Sequence, residues 1–221
     1  MREKELYPNV AKWLEKEHKC FETGINKGLK YSRVDVVGVR DVGGDLSGEV
    51  EIIGVEVKAG RSAFATSCGQ AYGYKVYANR VYLADIREEG FSHEETQIAS
   101  NLGIGLIQIK GTRIREILSS PYYDPYANFR LRMLECLHLG TCRLCGSCFK
   151  LGEDRRYGNL ARENVRKAIQ QEKGILCWNR ETSERKRSMG IRDGREDTTY
   201  QRRFICPDCV YHLLSQLDAG E

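Results

Sequence analysis

The stretch "IIGVEVKAG", residues 52–60, sets two charges, Glu56 and Lys58, into an apolar run. Strand side chains two apart share a face, so Val55 and Val57 point one way and Glu56 and Lys58 the other. Charges inside an apolar strand are costly unless they pair or hold a metal. This strand therefore ends in a structural ion pair or reaches into an active site.

The neighbouring sequence narrows the choice. "KYSRVDVVGVR" (30–40) reads as a strand, "DVGGDLSGE" (41–49) as a hairpin loop, and "VEIIGVEVK" (50–58) as the returning strand. Asp35 lies among the valines of the first strand. Glu-x-Lys also occurs at Glu17–Lys19 and Glu184–Lys186, in polar settings that read as solvated charge. The pattern at Glu56 is narrower, because its partner strand contributes a second acid. Two converging carboxylates repel each other unless a divalent cation lies between them. Mg²⁺ (or Mn²⁺) takes oxygen ligands and keeps several waters. Asp35 and Glu56 then suffice as anchors, with the Val57 carbonyl a third candidate. Lys58 is placed to orient a water or to stabilise charge on a phosphodiester.

Helical spacing marks residues 3–18, with Leu6, Val10, Trp13 and Leu14 on one face. It also marks 62–78, with Phe64, Cys68, Ala71 and Val76 as core positions, and 93–102. "RVYLADI" (80–86) and "IGLIQIK" (104–110) read as strands, followed by the short "RIREILSS". This alternation predicts an α/β domain with a mixed central sheet flanked by helices, over residues 1–120. "SSPYYDPYAN" (119–128) carries two prolines and marks a boundary; its aromatics read as core packing at the junction, with base stacking the other reading. A connecting helix or linker follows over 121–138. A Cys-rich module with a basic insertion and a helix near 160–172 fills 139–221.

Asp35 followed by Glu56-Val57-Lys58 resembles the PD-(D/E)xK nuclease superfamily, the group with the restriction-endonuclease-like fold. Gln70-Ala71-Tyr72-Gly73-Tyr74 is similar to the Gln-x-x-x-Tyr element of its exonuclease-like branch, and "KELYPNVAKWLE" to its first helix. "VYLADI" and "GIGLIQI" also resemble strands of that group, so the likeness spans residues 3–118. No Pro precedes Asp35, whose neighbour is Val34. The resemblance implies a metal-dependent nuclease in which Glu5 and Gln70 join Asp35, Glu56 and Lys58. Glu3 and Glu15 compete for the role of Glu5.

Nine cysteines are present, six of them after residue 140. "TCRLCGSCF" and "FICPDCVYHLL" each hold a C-x-x-C, and two such knuckles supply the four thiolates that structural Zn²⁺ prefers. Cys142, Cys145, Cys206 and Cys209 are the expected ligands, in a module resembling a treble-clef or ribbon-type zinc finger. Cys148, Cys177 and His212 are alternative ligands, and an iron–sulfur cluster is the alternative cofactor. Cys20, Cys68 and Cys136 read as core residues.

The formal net charge is +4, and its excess is local. Residues 1–135 hold 19 basic and 19 acidic side chains, against 16 and 12 in 136–221. The run 180–203 contains eight basic residues, among them Arg185, Lys186, Arg187, Arg202 and Arg203, which suit phosphate contacts. No apolar run approaches the ~18 residues of a membrane helix, and the N-terminus lacks a signal-type apolar core. The chain is thus expected to be cytoplasmic, and the resemblance to the nuclease superfamily implies DNA as its substrate. Double-strand cleavage would favour a homodimer. A nuclease acting on RNA, or a non-cleaving nucleic-acid binder on the same fold, are the alternatives.

Overall fold

The computed structural model describes residues 2–29, 32–60, 62–142, 144–151, 175–177 and 203–218. The chain divides into two compact units, 1–44 with 50–137, and 45–49 with 138–221. The unit border therefore falls after the connecting helix, at 137/138.

The first unit opens with α1 (Glu3–Glu17). A six-stranded sheet follows, built from β1 (Cys20–Leu29), β2 (Ser32–Asp41), β3 (Val50–Lys58), β4 (Arg80–Ile86), β5 (Gly105–Lys110) and β6 (Arg113–Leu118) in chain order. The β3–β4 and β4–β5 pairs are parallel, and the other three are antiparallel. The short α2 (Gly44–Ser47) falls in the second unit but for Gly44, and the further helices of the first unit are α3 (Phe64–Gly73), α4 (His93–Leu102) and α5 (Ala127–Cys136). The mixed sheet flanked by helices agrees with the sequence reading. Every residue of β3 is buried, as expected for a strand covered on both faces. Leu6, Val10 and Leu14 of α1 join Val36, Ile53, Val55 and Val57 in one apolar core. Ser92 and Glu95 cap α4 reciprocally, and Gly103 ends it in the left-handed region at φ 63°.

Four local readings change. β1 lay outside the strands read from the sequence. It is an edge strand in which only Cys20 and Gly24 are buried, so no apolar alternation announces it; its ladder to β2 holds it. The segment read as one helix over 62–78 ends at Gly73 and tightens into a 3₁₀ turn at Tyr74–Val76, leaving Phe64 and Val76 half-buried. "RIREILSS" supplies β6. The tyrosines of "SSPYYDPYAN" are not core: Tyr122, Tyr123 and Tyr126 are 53%, 45% and 71% exposed. The packing falls instead to Phe129, against Tyr77.

In the second unit, β7 (Leu139–Thr141) pairs with β8 (Cys148–Lys150), and β9 (Ile175–Cys177) with β10 (Arg203–Ile205). α6 (Pro207–Asp218) follows. The expected helix near 160–172 and most of the Arg-rich run lie outside the described residues, as do the side chains of Cys177 and Arg203. Among the described residues, no helix is long and apolar enough to cross a membrane.

Candidate functional site

The β2–β3 ladder runs up to Val36↔Val55 and stops, so the strands part at Asp35 and Glu56. On its other edge, β3 stays paired with β4 through Lys58↔Asp85. The parting leaves the Val57 N–H without a ladder acceptor, and Asp35 Oδ2 accepts it at 3.0 Å. Asp35 Oδ1 accepts from Tyr7 Oη of α1 at 2.7 Å. Glu56 Oε1 accepts from Lys58 Nζ at 2.5 Å, and Tyr74 Oη donates to Glu56 Oε2. Glu3 lies 4.0 Å from Lys58 Nζ.

The structure thus brings Asp35, Glu56 and Lys58 together, where a sheet ladder opens. Glu5 is placed elsewhere. Its carboxylate accepts the Arg2 N–H at 3.0 Å in the cap of α1, while Glu3 is the acid beside Lys58. Gln70 lies on the exposed side of α3, and Tyr74, one turn further on, reaches Glu56. Sequence reasoning did not single out Tyr7. A tyrosine within an apolar helical stripe reads as core, and its ring is core; only the hydroxyl leaves it. Its spacing of four from Glu3 places both on one helical face, the one usable signal.

Charge at this site is unbalanced. Burial pushes the Glu56 carboxyl above its ordinary range, and Asp35 adds to this against the hydrogen bonds from Lys58 and Tyr74. Burial opposes the charge on Lys58, but Glu56, Glu3 and Asp35 outweigh it and hold the ammonium above the usual lysine range. Lys58 is therefore a cation at neutral pH and a donor, not a base. Burial and the bond to Asp35 also raise the Tyr7 phenol, which stays neutral.

The second unit gathers Cys142, Cys145, Cys206 and Cys209, with all four sulfurs within 4.8 Å of one another. The first knuckle turns between β7 and β8: Cys142 N donates to Ser147 O at 2.8 Å, and Gly146 N to Cys142 O at 2.9 Å. Gly146 has φ 80°, a conformation that a side chain would strain. The second knuckle opens α6, and Cys206 N donates to Cys142 Sγ at 3.3 Å. Ile205 and Val210 close the apolar side. Burial pushes the Cys206 and Cys209 thiols up; Cys142 and Cys145 add to this at both, while Cys209 opposes it at Cys206. A bound divalent cation reverses that preference, because it favours thiolates. Four such cysteines can hold a metal ion such as zinc. Tetrahedral Zn–S bonds separate thiolates by about 3.8 Å, which falls within this spacing. Cys148 lies outside the set, and His212 is exposed and bonded to Gln216 at 3.1 Å.

No family model matches the chain. Nor does any curated protein. Among solved structures, a protein of unknown function from Silicibacter pomeroyi is similar at 19% identity and a TM-score of 0.44, over 62% of this chain and 84% of that one.

Proposed function

We propose that the first unit is a metal-dependent nuclease that hydrolyses DNA phosphodiester bonds. The carrying observation is charge: among the described residues, three carboxylates, of Asp35, Glu56 and Glu3, surround one ammonium, that of Lys58, at a break in the sheet. Such a surplus of hard oxygen donors fits Mg²⁺ or Mn²⁺. Asp35 and Glu56 would be the protein ligands, with the Val57 carbonyl beside them. A divalent ion bound there supplies positive charge to the scissile phosphate. Lys58, held as a cation, donates to the attacking water or to a phosphate oxygen as negative charge builds. In the reaction a water oxygen bonds to phosphorus and the P–O bond to one sugar breaks. The leaving oxygen takes up a proton, and the water loses one to solvent. Tyr74 and Tyr7 keep the two carboxylates oriented. The cysteine cluster would hold Zn²⁺ in a structural role, and the basic run 180–203 would contact the substrate backbone.

A structural ion pair is the competing reading. One observation favours it: all four oxygens of Asp35 and Glu56 accept a hydrogen bond. Each keeps a further lone pair, so ligation is not blocked. Linear, circular, single-stranded and branched DNA, and an RNA control, incubated with purified protein with and without Mg²⁺, decide between them. Mg²⁺-dependent cutting that Asp35→Asn abolishes supports the nuclease. Intact substrates throughout, from a folded protein, remove it.

A further inference from the structure

We propose that Tyr7 is a positioning residue that fixes the Asp35 carboxylate for metal binding and locks the first turn of α1 over the site. This rests on the nuclease reading above. An Asp carboxylate has a broad terminal torsion and turns easily when one oxygen is free. Asp35 has lost the support of a continuous ladder, since pairing with β3 ends one residue away at Val36↔Val55. Two donors from two elements replace that support: the Val57 N–H from β3 at 3.0 Å and the Tyr7 hydroxyl from α1 at 2.7 Å. Together they set the plane of the carboxylate, and with it the direction of its remaining lone pairs. Tyr7 is 7% exposed and belongs to the same apolar core as Leu6, Val10 and Val57, which restrains its hydroxyl. The same bond anchors the helix turn that carries Glu3, four residues earlier and 4.0 Å from Lys58. One hydroxyl thereby couples a ligand on β2 to an acid on α1.

The alternative is that the Tyr7 hydroxyl only fastens α1 to the sheet. Metal affinity separates the two, because partners that orient a ligand typically govern it by about 10- to 100-fold. The full-length, zinc-loaded chain is titrated with Mn²⁺, and binding is read by electron paramagnetic resonance. Wild type, Tyr7→Phe, Asp35→Asn and Tyr82→Phe are compared. Tyr82 is a buried tyrosine whose hydroxyl lies 3.5 Å from Glu116, away from the cluster, and it controls for loss of a core hydroxyl. The expected result is binding in wild type and Tyr82→Phe, none in Asp35→Asn, and about 10- to 100-fold weaker binding in Tyr7→Phe. Excess Mn²⁺ should then restore cleavage by Tyr7→Phe. The Mn²⁺-induced rise in unfolding midpoint, read within each variant, separates affinity from any change in stability. Equal Mn²⁺ affinity in Tyr7→Phe and wild type overturns this inference and leaves the nuclease reading standing. Wild-type binding that Asp35→Asn does not change overturns both.

Discussion

β3 carries a buried glutamate near each end, and the two ends solve the same problem differently. Glu51 and Glu56 side chains are 3% and 5% exposed, so burial does not distinguish them. Glu51 lies directly opposite Arg40 in the ladder and binds its guanidinium. It also accepts from Arg80 Nε of β4 at 2.7 Å. Two cations serve one anion, and the bonds tie three neighbouring strands together. At the other end, among the described residues, one cation serves three carboxylates, and the ladder is open. A structural ion pair on this strand looks like Glu51. The Glu56 end has the opposite imbalance, the kind that a bound cation relieves.

The largest expected change comes from stripping the cysteine cluster, and it sharpens the contrast because neither end of β3 uses a thiolate. Metal coupling to folding in four-ligand zinc modules is about 10–16 kcal/mol. Purified protein should carry about one zinc per chain. Cys206→Ser or a strong chelator should raise hydrogen exchange in 138–151 and 203–218, while the amides of β3 stay protected. Iron with acid-labile sulfide in place of zinc would refute the assignment.

Next in size is the difference between the two glutamates. Glu51→Gln leaves Arg40 and Arg80 without their anion. Breaking a buried pair costs about 3–5 kcal/mol, and the guanidiniums reach solvent, so about 2–3 is expected. Glu56→Gln removes one acid from a site with too many, and metal-free stability should change by less than about 1 kcal/mol. Urea unfolding of both variants at neutral pH measures this. Equal losses would make Glu56 as structural as Glu51.

Much of this contrast was legible in the sequence. An acid among valines, then Glu-x-Lys on an apolar strand, located the Glu56 end, because charge in such a run needs a reason. Two C-x-x-C pairs located the cysteines by ligand spacing alone. Glu51 is the second residue of its strand, next to a Gly-rich loop, where an acid reads as exposed. Its partners come from two other strands, and pairing register is not written in any one segment. β1 was hidden for a related reason, since an edge strand with few buried residues has no alternation to detect. Glu3 and Glu5 differ only in which one spends its carboxylate on capping α1, a choice made by local backbone geometry.

A smaller effect, on rate alone, tests whether the open end is catalytic. Lys58→Ala removes the donor held as a cation beside Glu56. If Lys58 acts in the transition state, the variant should bind DNA nearly as wild type and cut at least ~100-fold more slowly. Single-turnover cleavage and equilibrium binding, run in parallel, read the two quantities. Arginine substitutions in 180–203 should do the reverse, weakening binding and lowering its salt slope by roughly one unit per lost phosphate contact. Unchanged cleavage by folded Lys58→Ala would return the pair to a structural role.

The smallest effect is the pH dependence of stability, where the two ends should have opposite signs. His18, beyond the Glu51 end, lies 3.1 Å from Glu116 and packs against Trp13 and Tyr82. Burial lowers its pKa from the ordinary 6.5; Glu116 opposes this, and Arg40 and Arg80 add to it. Below pH 6.5 the unfolded chain therefore takes up this proton first, and stability falls as pH drops toward the folded value. Glu56 behaves in the opposite way. Its folded pKa lies above the ordinary 4.5, chiefly through burial, so the native state keeps the proton longer. Stability then falls as pH rises from 4.5 through that folded value. Each proton contributes a slope of at most about 1.4 kcal/mol per pH unit. Denaturation midpoints between pH 4.5 and 6.5 should thus lose their rising component in His18→Gln and their falling component in Glu56→Gln. Mg²⁺ should erase the falling component alone, because a cation at Asp35 and Glu56 favours the ionised carboxylate. A falling component that persists in Glu56→Gln, or that Mg²⁺ leaves untouched, would deny that end its charge imbalance.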